Sequence, residues 1–117
     1  MLILEQMSRA EKVEEKDAIY VYRLIKDTLL LPFNDEKIEV QSYGIEVERQ
    51  DLINGVVVGI ERDKVKTISP QRYKVRNLMK LLYDNMVSPI HLVDVLGEYV
   101  DEYVIDFEDE YLSIATN

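Results

Sequence analysis

The sequence predicts an α+β domain, with an antiparallel β-sheet meander of about four strands followed by a C-terminal two-helix hairpin. Apolar and polar residues alternate through much of residues 18–68, Asn54-Gly55 separates two apolar runs, and two Ser-Pro pairs precede segments with helical periodicity. Strands that come first and helices that come last are typical of this class. A chain of 117 residues without a linker rich in Gly, Ser or Pro is expected to form a single domain, residues 1–117.

Residues 1–16 are open to two interpretations, because LILEQM suits a strand whereas RAEKVEEK suits a helix, a turn or a loose arm. From Ala18, AIYVYRLI is rich in β-branched and aromatic residues, which favour a half-buried strand. Pro32 and the following NDE predict the end of that strand.

The segment KIEVQSYGIEVER alternates as a strand does, but its apolar parity changes between Val40 and Tyr43. A single strand cannot change face without an extra residue, so we expect a β-bulge or a bend at Ser42–Gly44, with Gly44 in an unusual backbone conformation. Asn54-Gly55 predicts a hairpin, because both residues tolerate positive φ. KVKTIS predicts a last short strand, so the sheet is expected over residues 18–68.

Ser69-Pro70 and Ser88-Pro89 predict two helix starts, because serine caps free N–H groups and proline loses no hydrogen bond at the first helical position. The helical hairpin is expected over residues 70–104, with a first helix from Pro70 to Asn85 and a second from Pro89. The apolar stripes are Val75, Leu78, Met79 and Leu82, then Leu92, Val93, Leu96, Val100 and Tyr103. Residues 105–117 are interpreted as an acidic tail.

The net charge of −9 weighs against nucleic acid and against an anionic membrane surface as partners. No stretch approaches the roughly 20 apolar residues of a membrane span, and the N-terminus lacks the basic and apolar regions of a signal peptide. A cytoplasmic location is therefore expected. One histidine and no cysteine do not supply a zinc site, and no glycine-rich phosphate loop is present, so no metal or cofactor is predicted.

His91 is the only histidine, three residues after Ser88, and Asp94 follows at i+3 as a candidate orienting carboxylate. A general base needs a nucleophile and an orienting partner within hydrogen-bond reach, and the sequence identifies no nucleophile. The favoured interpretation of His91 is structural, either at the helix start or packed at the edge of the sheet. No catalytic residue is therefore assigned.

Arg72, Arg76 and Lys80 form a basic stripe at i, i+4 and i+8 on the first predicted helix, whereas residues 94–110 contain eight acids and no base. Docking of the second helix into a DNA major groove is rejected, because its acids would face phosphates. The basic stripe is expected to pair with acids of the protein itself.

Tyr99, Tyr103, Phe107 and Tyr111 recur every four residues, a spacing that drifts by about 40° per step around a helix. These rings either complete the edge of the core or form an exposed aromatic and acidic binding surface, for which Tyr99 and Tyr103 are the candidates. Gly97 lies inside the same helix and is explained by tolerance or by close approach of another helix or subunit. Val95 and Tyr99 lie off the centre of the apolar stripe, which favours a homodimer through this helix over a monomer.

A resemblance to a known family rests on three motifs: Tyr43-Gly44-Ile45, Ile68-Ser69 and, above all, VSPIHLVDVL at Val87–Leu96. Between Tyr43 and Val100, about half of the chain, the sequence resembles a family of small proteins of unknown function from clostridia-like bacteria. The resemblance implies a bacterial, cytoplasmic protein, and it implies no activity, ligand or site.

Three functional interpretations remain. A non-enzymatic protein-binding or regulatory module is favoured by the absence of catalytic motifs, the uneven charge and the eight tyrosines. An enzyme or small-ligand-binding domain would use His91 with nearby carboxylates in a concave pocket. An acidic mimic of nucleic acid would need the carboxylates of the tail to be spaced like phosphates.

Overall fold

In the computed structural model, which describes residues 1–116 except for the side chains of Phe33, Ala115 and Thr116, four strands form one antiparallel sheet. The strands are β1 (Leu2–Val13), β2 (Lys16–Phe33), β3 (Glu36–Ile53) and β4 (Val56–Ser69), and each pairs with the next along the chain. Helix α1 (Arg72–Asp84), a 3₁₀ turn (Pro89–His91) and helix α2 (Leu92–Thr116) follow. The predicted α+β class is therefore confirmed.

Two-residue turns connect all four strands. Their positive-φ residues are Glu14 (56°), Asn34 (47°), Asp35 (65°), Asn54 (51°) and Gly55 (78°). Asn54-Gly55 thus forms the hairpin that its residue types predict, and Asn34-Asp35 forms a second one of the same kind. Of the two interpretations of residues 1–16, the strand is correct.

Gly44 lies opposite a bulge, but the extra residues belong to β4 and not to β3. Tyr43 pairs with Ser69 while Ile45 pairs with Val65, so β4 contributes three residues opposite Gly44. Gly44 does not have positive φ. A Cβ atom at this position would lie 2.1 Å from the Val65 carbonyl oxygen, so glycine is required by the close approach of β4 and not by an unusual backbone angle.

In β3 the buried apolar side chains lie on one face of the sheet at Val40 and on the other face from Tyr43 onward. This is why the alternation of apolar residues changes parity there. The register between β2 and β3 runs unbroken from Lys16↔Ile53 to Phe33↔Glu36, so β3 contains no extra residue. The helices cover the face that carries Tyr43, Ile45 and Val47, whereas Val40 is fully buried on the opposite face. The predicted irregularity at Ser42–Gly44 is therefore present in the pairing of β3 with β4, but its extra residues belong to β4 and not to β3.

Helix α1 and the part of α2 up to Tyr103 pack on the face of the sheet that carries Tyr22, Leu24 and Ile45, whereas the later part of α2 lies beside Leu29, the cross-strand partner of Val40. The apolar stripe of α1 is buried as predicted, and α2 buries Leu92 and Leu96 beside it. Val93, which the sequence places in the α2 stripe, is instead 57% exposed. Among the described residues, Gly97 is approached closely by nothing outside the backbone of its own helix, because a Cβ atom there would meet no such atom within 4 Å.

The two Ser-Pro pairs act differently from the prediction. Helix α1 begins at Arg72 after Gln71, and the Ser69 hydroxyl accepts a hydrogen bond from the Gln71 N–H (3.0 Å) before the helix starts. Ser88 precedes the 3₁₀ turn, with Pro89 at its first position, and α2 continues from it without a break. Helix α2 also continues through residues 105–116, the segment interpreted from the sequence as an acidic tail.

The middle of the chain forms a two-stranded extension of the sheet, because β2 and β3 are longer than their neighbours. The pairing of β1 with β2 begins at Leu2↔Lys26, and that of β4 with β3 ends at Tyr43↔Ser69. Residues 27–42, called the arm from here on, therefore extend beyond both outer strands, and the molecule measures 58 × 22 × 20 Å. Within residues 1–116 neither helix is long and apolar enough to cross a membrane.

Candidate functional site

His91 lies on the 3₁₀ turn before α2, and its side chain is exposed. Asp94, the candidate orienting carboxylate, is exposed in the first turn of α2. Neither residue lines either of the two concave sites described below. No group of three or more His, Asp or Glu side chains among the described residues could hold a metal ion. The structure therefore places His91 and Asp94 exposed at the start of α2 and outside both of these concave sites.

The basic stripe of α1 pairs with the protein's own acids. Arg72 and Arg76 both reach the Glu5 carboxylate on β1, at 3.4 Å and 3.1 Å. Lys80 pairs with Asp84 one turn further along α1, at 2.9 Å. These pairs are largely exposed, and each contributes little to stability. The partners lie on β1 and on α1 itself, and not on the acidic helix α2.

Tyr99 and Tyr103 are half-buried and pack against the core, with their ring centroids 6.3 Å apart. The Lys74 ammonium lies 5.0 Å from the centroid of the Tyr103 ring, a distance at which a cation is attracted to the ring face. Burial, with a further contribution from Glu102, raises the pKa of the Tyr103 hydroxyl. The two tyrosines thus complete the edge of the core.

Asp106 connects the middle of α2 to α1 and to β4 through hydrogen bonds. Its carboxylate is buried, accepts hydrogen bonds from the Lys74 ammonium (2.8 Å) and the Ser69 hydroxyl (3.2 Å), and so joins α2 to α1 and to the end of β4. The hydrogen bond to Asp106 raises the pKa of Lys74. The sequence offers no signal that separates Asp106 from the exposed acids around it.

A second buried carboxylate, Glu48, lies on the face of the sheet away from the helices and is 1% exposed. It accepts hydrogen bonds from Gln50 (2.8 Å), from Arg62 and from Arg23 (3.4 Å), which also donates to Glu46 (2.9 Å). Burial alone would raise the pKa of Glu48, but these hydrogen bonds outweigh it and lower the pKa to about 2. The network joins β2, β3 and β4, so its role is structural.

One concave site lies between the tips of the β1–β2 and β3–β4 hairpins and has a volume of about 1100 Å³. Acids, bases and apolar side chains alternate around it, among them Glu14, Lys16, Arg49 and Val58. The neighbouring end of β4, Val56–Ile60, is an edge strand with four exposed apolar side chains, a feature that favours contact with other chains.

The other concave site is an apolar groove between the arm and α2, with a volume of about 770 Å³. Ile68, which is fully buried, lies at its base. Leu29, Leu31 and Pro32 form its wall on the arm, and Val100, Val104, Ile105, Phe107 and Tyr111 form its wall on α2. Val104 and Ile105 remain 62% and 56% exposed at the rim. The groove therefore presents contiguous apolar surface to solvent, as docking sites for proteins do.

A contact between Tyr111 and the arm joins the two walls of the groove. The Tyr111 hydroxyl donates a hydrogen bond to the Pro32 carbonyl (3.0 Å), which holds α2 at a defined distance from β2. The sequence indicated the helical wall of the groove only through the four-residue spacing that includes Phe107 and Tyr111. Leu29 and Leu31 carried no signal, because they come together with α2 only in the folded chain.

Comparison with models of protein families assigns the chain to a family. A family model described as a family of unknown function, DUF6514, matches residues 1–102. The chain belongs to the DUF6514 family. The match extends further than the resemblance seen between Tyr43 and Val100, since it includes β1, β2 and the start of β3. Neither a search of curated proteins nor a search of solved structures found a match to this DUF6514 chain.

The matched range of DUF6514 contains the sheet, α1 and the first part of α2. This range includes the groove residues of the arm, together with Ile68 and Val100. The groove residues from Val104 to Tyr111 come after it in the sequence.

Proposed function

We propose that this protein is a non-enzymatic binding module of the bacterial cytoplasm, and that it docks a partner protein in the groove between the arm and α2. The observation that carries the proposal is the exposure of Val104 and Ile105 beside the buried Phe107, in a groove whose walls are almost entirely apolar. Apolar surface of this extent next to a well-packed core is characteristic of interaction sites.

The charges on α2 support a protein as the partner in preference to nucleic acid. Residues 92–116 contain eight acids and no base, so phosphates brought to the groove would be repelled. A reaction site built on His91 is less well supported, because His91 is exposed and lies outside the groove lining.

A second copy of the chain is the competing occupant of the groove. The dimer expected from the sequence rested on Val95 and Tyr99, and both residues pack against the core. Self-association through α2 would therefore use Val93, Val104 or Ile105, which are exposed. Sedimentation of the purified protein distinguishes the two occupants, because a dimer lost on substitution of Val104 would place a second copy in the groove.

Site-specific photo-crosslinking tests the proposal. A photoreactive residue is introduced at Val104 in the groove or at Ile90, which is 75% exposed and lies outside the groove lining, and both variants are expressed in the organism that encodes the protein. The expected result is a protein crosslinked from position 104 and not from position 90. Equal capture at both positions, or capture at neither, contradicts the proposal.

The captured protein is then purified and its affinity measured directly. Val104→Glu is expected to weaken binding at least tenfold, because a carboxylate in an apolar interface is costly unless it is paired. Ile90→Glu introduces the same charge and is expected to leave the affinity unchanged. Equal losses for the two variants would show that net charge, and not the groove, controls binding.

A further inference from the structure

Helix α2 carries a line of acids beside the groove. On an α-helix, residues seven apart return to nearly the same direction, so Asp94, Asp101 and Glu108 lie in one row along α2. Glu108 itself lines the groove, and Asp101 follows the groove residue Val100. The row therefore flanks the apolar wall formed by Val100 and Val104.

The acids of this row are not neutralised by bases of the same helix. Residues 92–116 contain no lysine, arginine or histidine, and the Lys74 ammonium is engaged with the buried Asp106. Residues 27–42 contain four acids and one base, but Lys66 and Lys64 of β4 act on Asp27 among them, so the charges of one sign that border the groove are the acids of α2. Charges of one sign around a cleft with apolar walls raise the local concentration of ligands with the opposite charge.

The free edge of β2 beside the groove is unsuited to an added strand. Past Lys26, β1 no longer pairs with β2, but three of the backbone groups there are occupied or missing. The Thr28 N–H donates to the Asp27 carboxylate (2.9 Å), Pro32 has no N–H, and the Pro32 carbonyl accepts from Tyr111 (3.0 Å). Strand addition is therefore disfavoured at these positions, and the apolar walls of the groove suit the side chains of an amphipathic helix.

We infer that the groove receives an amphipathic helix with a basic flank. Its apolar side chains lie between the arm and α2, and its lysine or arginine side chains face Asp101 and Glu108. This inference rests on the proposed docking function and specifies the chemistry of the partner.

Two labelled peptides of about five helical turns serve as probes, one with a leucine side and a lysine side, the other with a leucine side and a glutamate side. Their binding to the full chain is followed by fluorescence anisotropy. The lysine peptide is expected to bind at least tenfold more tightly than the glutamate peptide, and to lose most of that advantage between about 50 mM and about 500 mM salt, where exposed charges are screened.

Two double variants with the same change in net charge distinguish the effect of the acids beside the groove on peptide binding from the effect of the protein's net charge. Asp101→Asn with Glu108→Gln removes the acids beside the groove, whereas Glu102→Gln with Asp109→Asn removes two exposed acids that are also seven residues apart, about 100° further round α2. The first pair is expected to weaken the lysine peptide about fivefold, and the second pair to leave it unchanged.

Equal weakening by the two pairs, equal affinity for the two peptides, or no binding of the lysine peptide would overturn the inference. The proposed function is judged separately by the photo-crosslinked protein. A captured partner that responds to Val104→Glu but not to the loss of Asp101 and Glu108 would leave docking intact and refute the basic flank.

Discussion

The Lys74 ammonium donates a 2.8 Å hydrogen bond to the Asp106 carboxylate, 32 residues further along the chain. This contact is the main polar connection between α1 and α2, and Asp106 also accepts a hydrogen bond from Ser69 at the end of β4. Phe107, the next residue, is thereby held in the wall of the groove. The position of the groove thus depends on one buried carboxylate in a helix whose other acids are exposed.

Asp106→Asn is predicted to lower the free energy of unfolding by about 1–3 kcal/mol, because it removes the charged acceptor and leaves the buried Ser69 hydroxyl with a weaker partner. Asp109→Asn changes the same charge at an exposed position and is predicted to have almost no effect. Urea denaturation of both variants is the measurement. Equal stability of the two would mean that Asp106 does not fasten α2.

Glu48 is predicted to make the free energy of unfolding fall as the solution is acidified over a defined pH range. Its pKa is lowered from 4.5 to about 2 in the folded protein, so folding is stabilised above pH 4.5 and the stabilisation is lost as the pH falls from 4.5 toward 2. The loss is on the order of 3 kcal/mol. Urea denaturation across this range is predicted to show a shallower decline in Glu48→Gln, whereas the exposed Glu39→Gln retains it. Parallel profiles for the two variants would exclude this role for Glu48.

Two glycine substitutions are predicted to have opposite effects. Gly44→Ala is predicted to destabilise the fold by about 3 kcal/mol, because its Cβ would lie 2.1 Å from the Val65 carbonyl oxygen in the backbone of β4. Gly97→Ala is predicted to stabilise it by about 0.5–1 kcal/mol, because the site is open and alanine is the better helix former. Thermal unfolding of both variants checks the pair, and a destabilised Gly97→Ala would instead indicate a close contact with another subunit.

Val95 and Val93 on α2 are predicted to differ in how strongly a glutamate substitution lowers stability. Val95 packs against the core, so Val95→Glu is predicted to cost about 1–3 kcal/mol of stability through its uncompensated charge. Val93 is 57% exposed, and Val93→Glu is predicted to change stability by less than about 0.5 kcal/mol. Circular dichroism melting curves measure both effects. Loss of a dimer without loss of stability in Val95→Glu would contradict the placement of Val95 in the core.

Local chemistry made the order of elements predictable. Asn54-Gly55 and the stripe of α1 each act within a few residues, so they can be predicted from sequence spacing alone. The two Ser-Pro pairs correctly marked where the helices follow, but they do not cap them as predicted. The Glu14-Glu15 turn was only one of several alternatives for RAEKVEEK, because neither residue type favours positive φ, and residues 1–16 were therefore left open between a strand and an arm.

Features that join distant segments were not predictable in this way. The role of Gly44 depends on Val65, and the parity change after Val40 depends on which face of the sheet is covered. The groove combines the arm with Ile68 and α2, so its two walls are separated in the sequence by about 70 residues. The candidates His91 and Asp94 came from residue type alone, which says nothing about whether a pocket surrounds them.

Hydrogen exchange of the backbone amides, measured with and without the captured partner, tests docking in the groove most directly. Bound partner is predicted to slow exchange in residues 28–31 of the arm and in residues 100–111 of α2. The exposed end of β4 at Val56–Ile60 is predicted to exchange at the same rate in both samples. Protection at Val56–Ile60 with no change in the arm or in α2 would contradict the account and place the binding surface on the β4 edge.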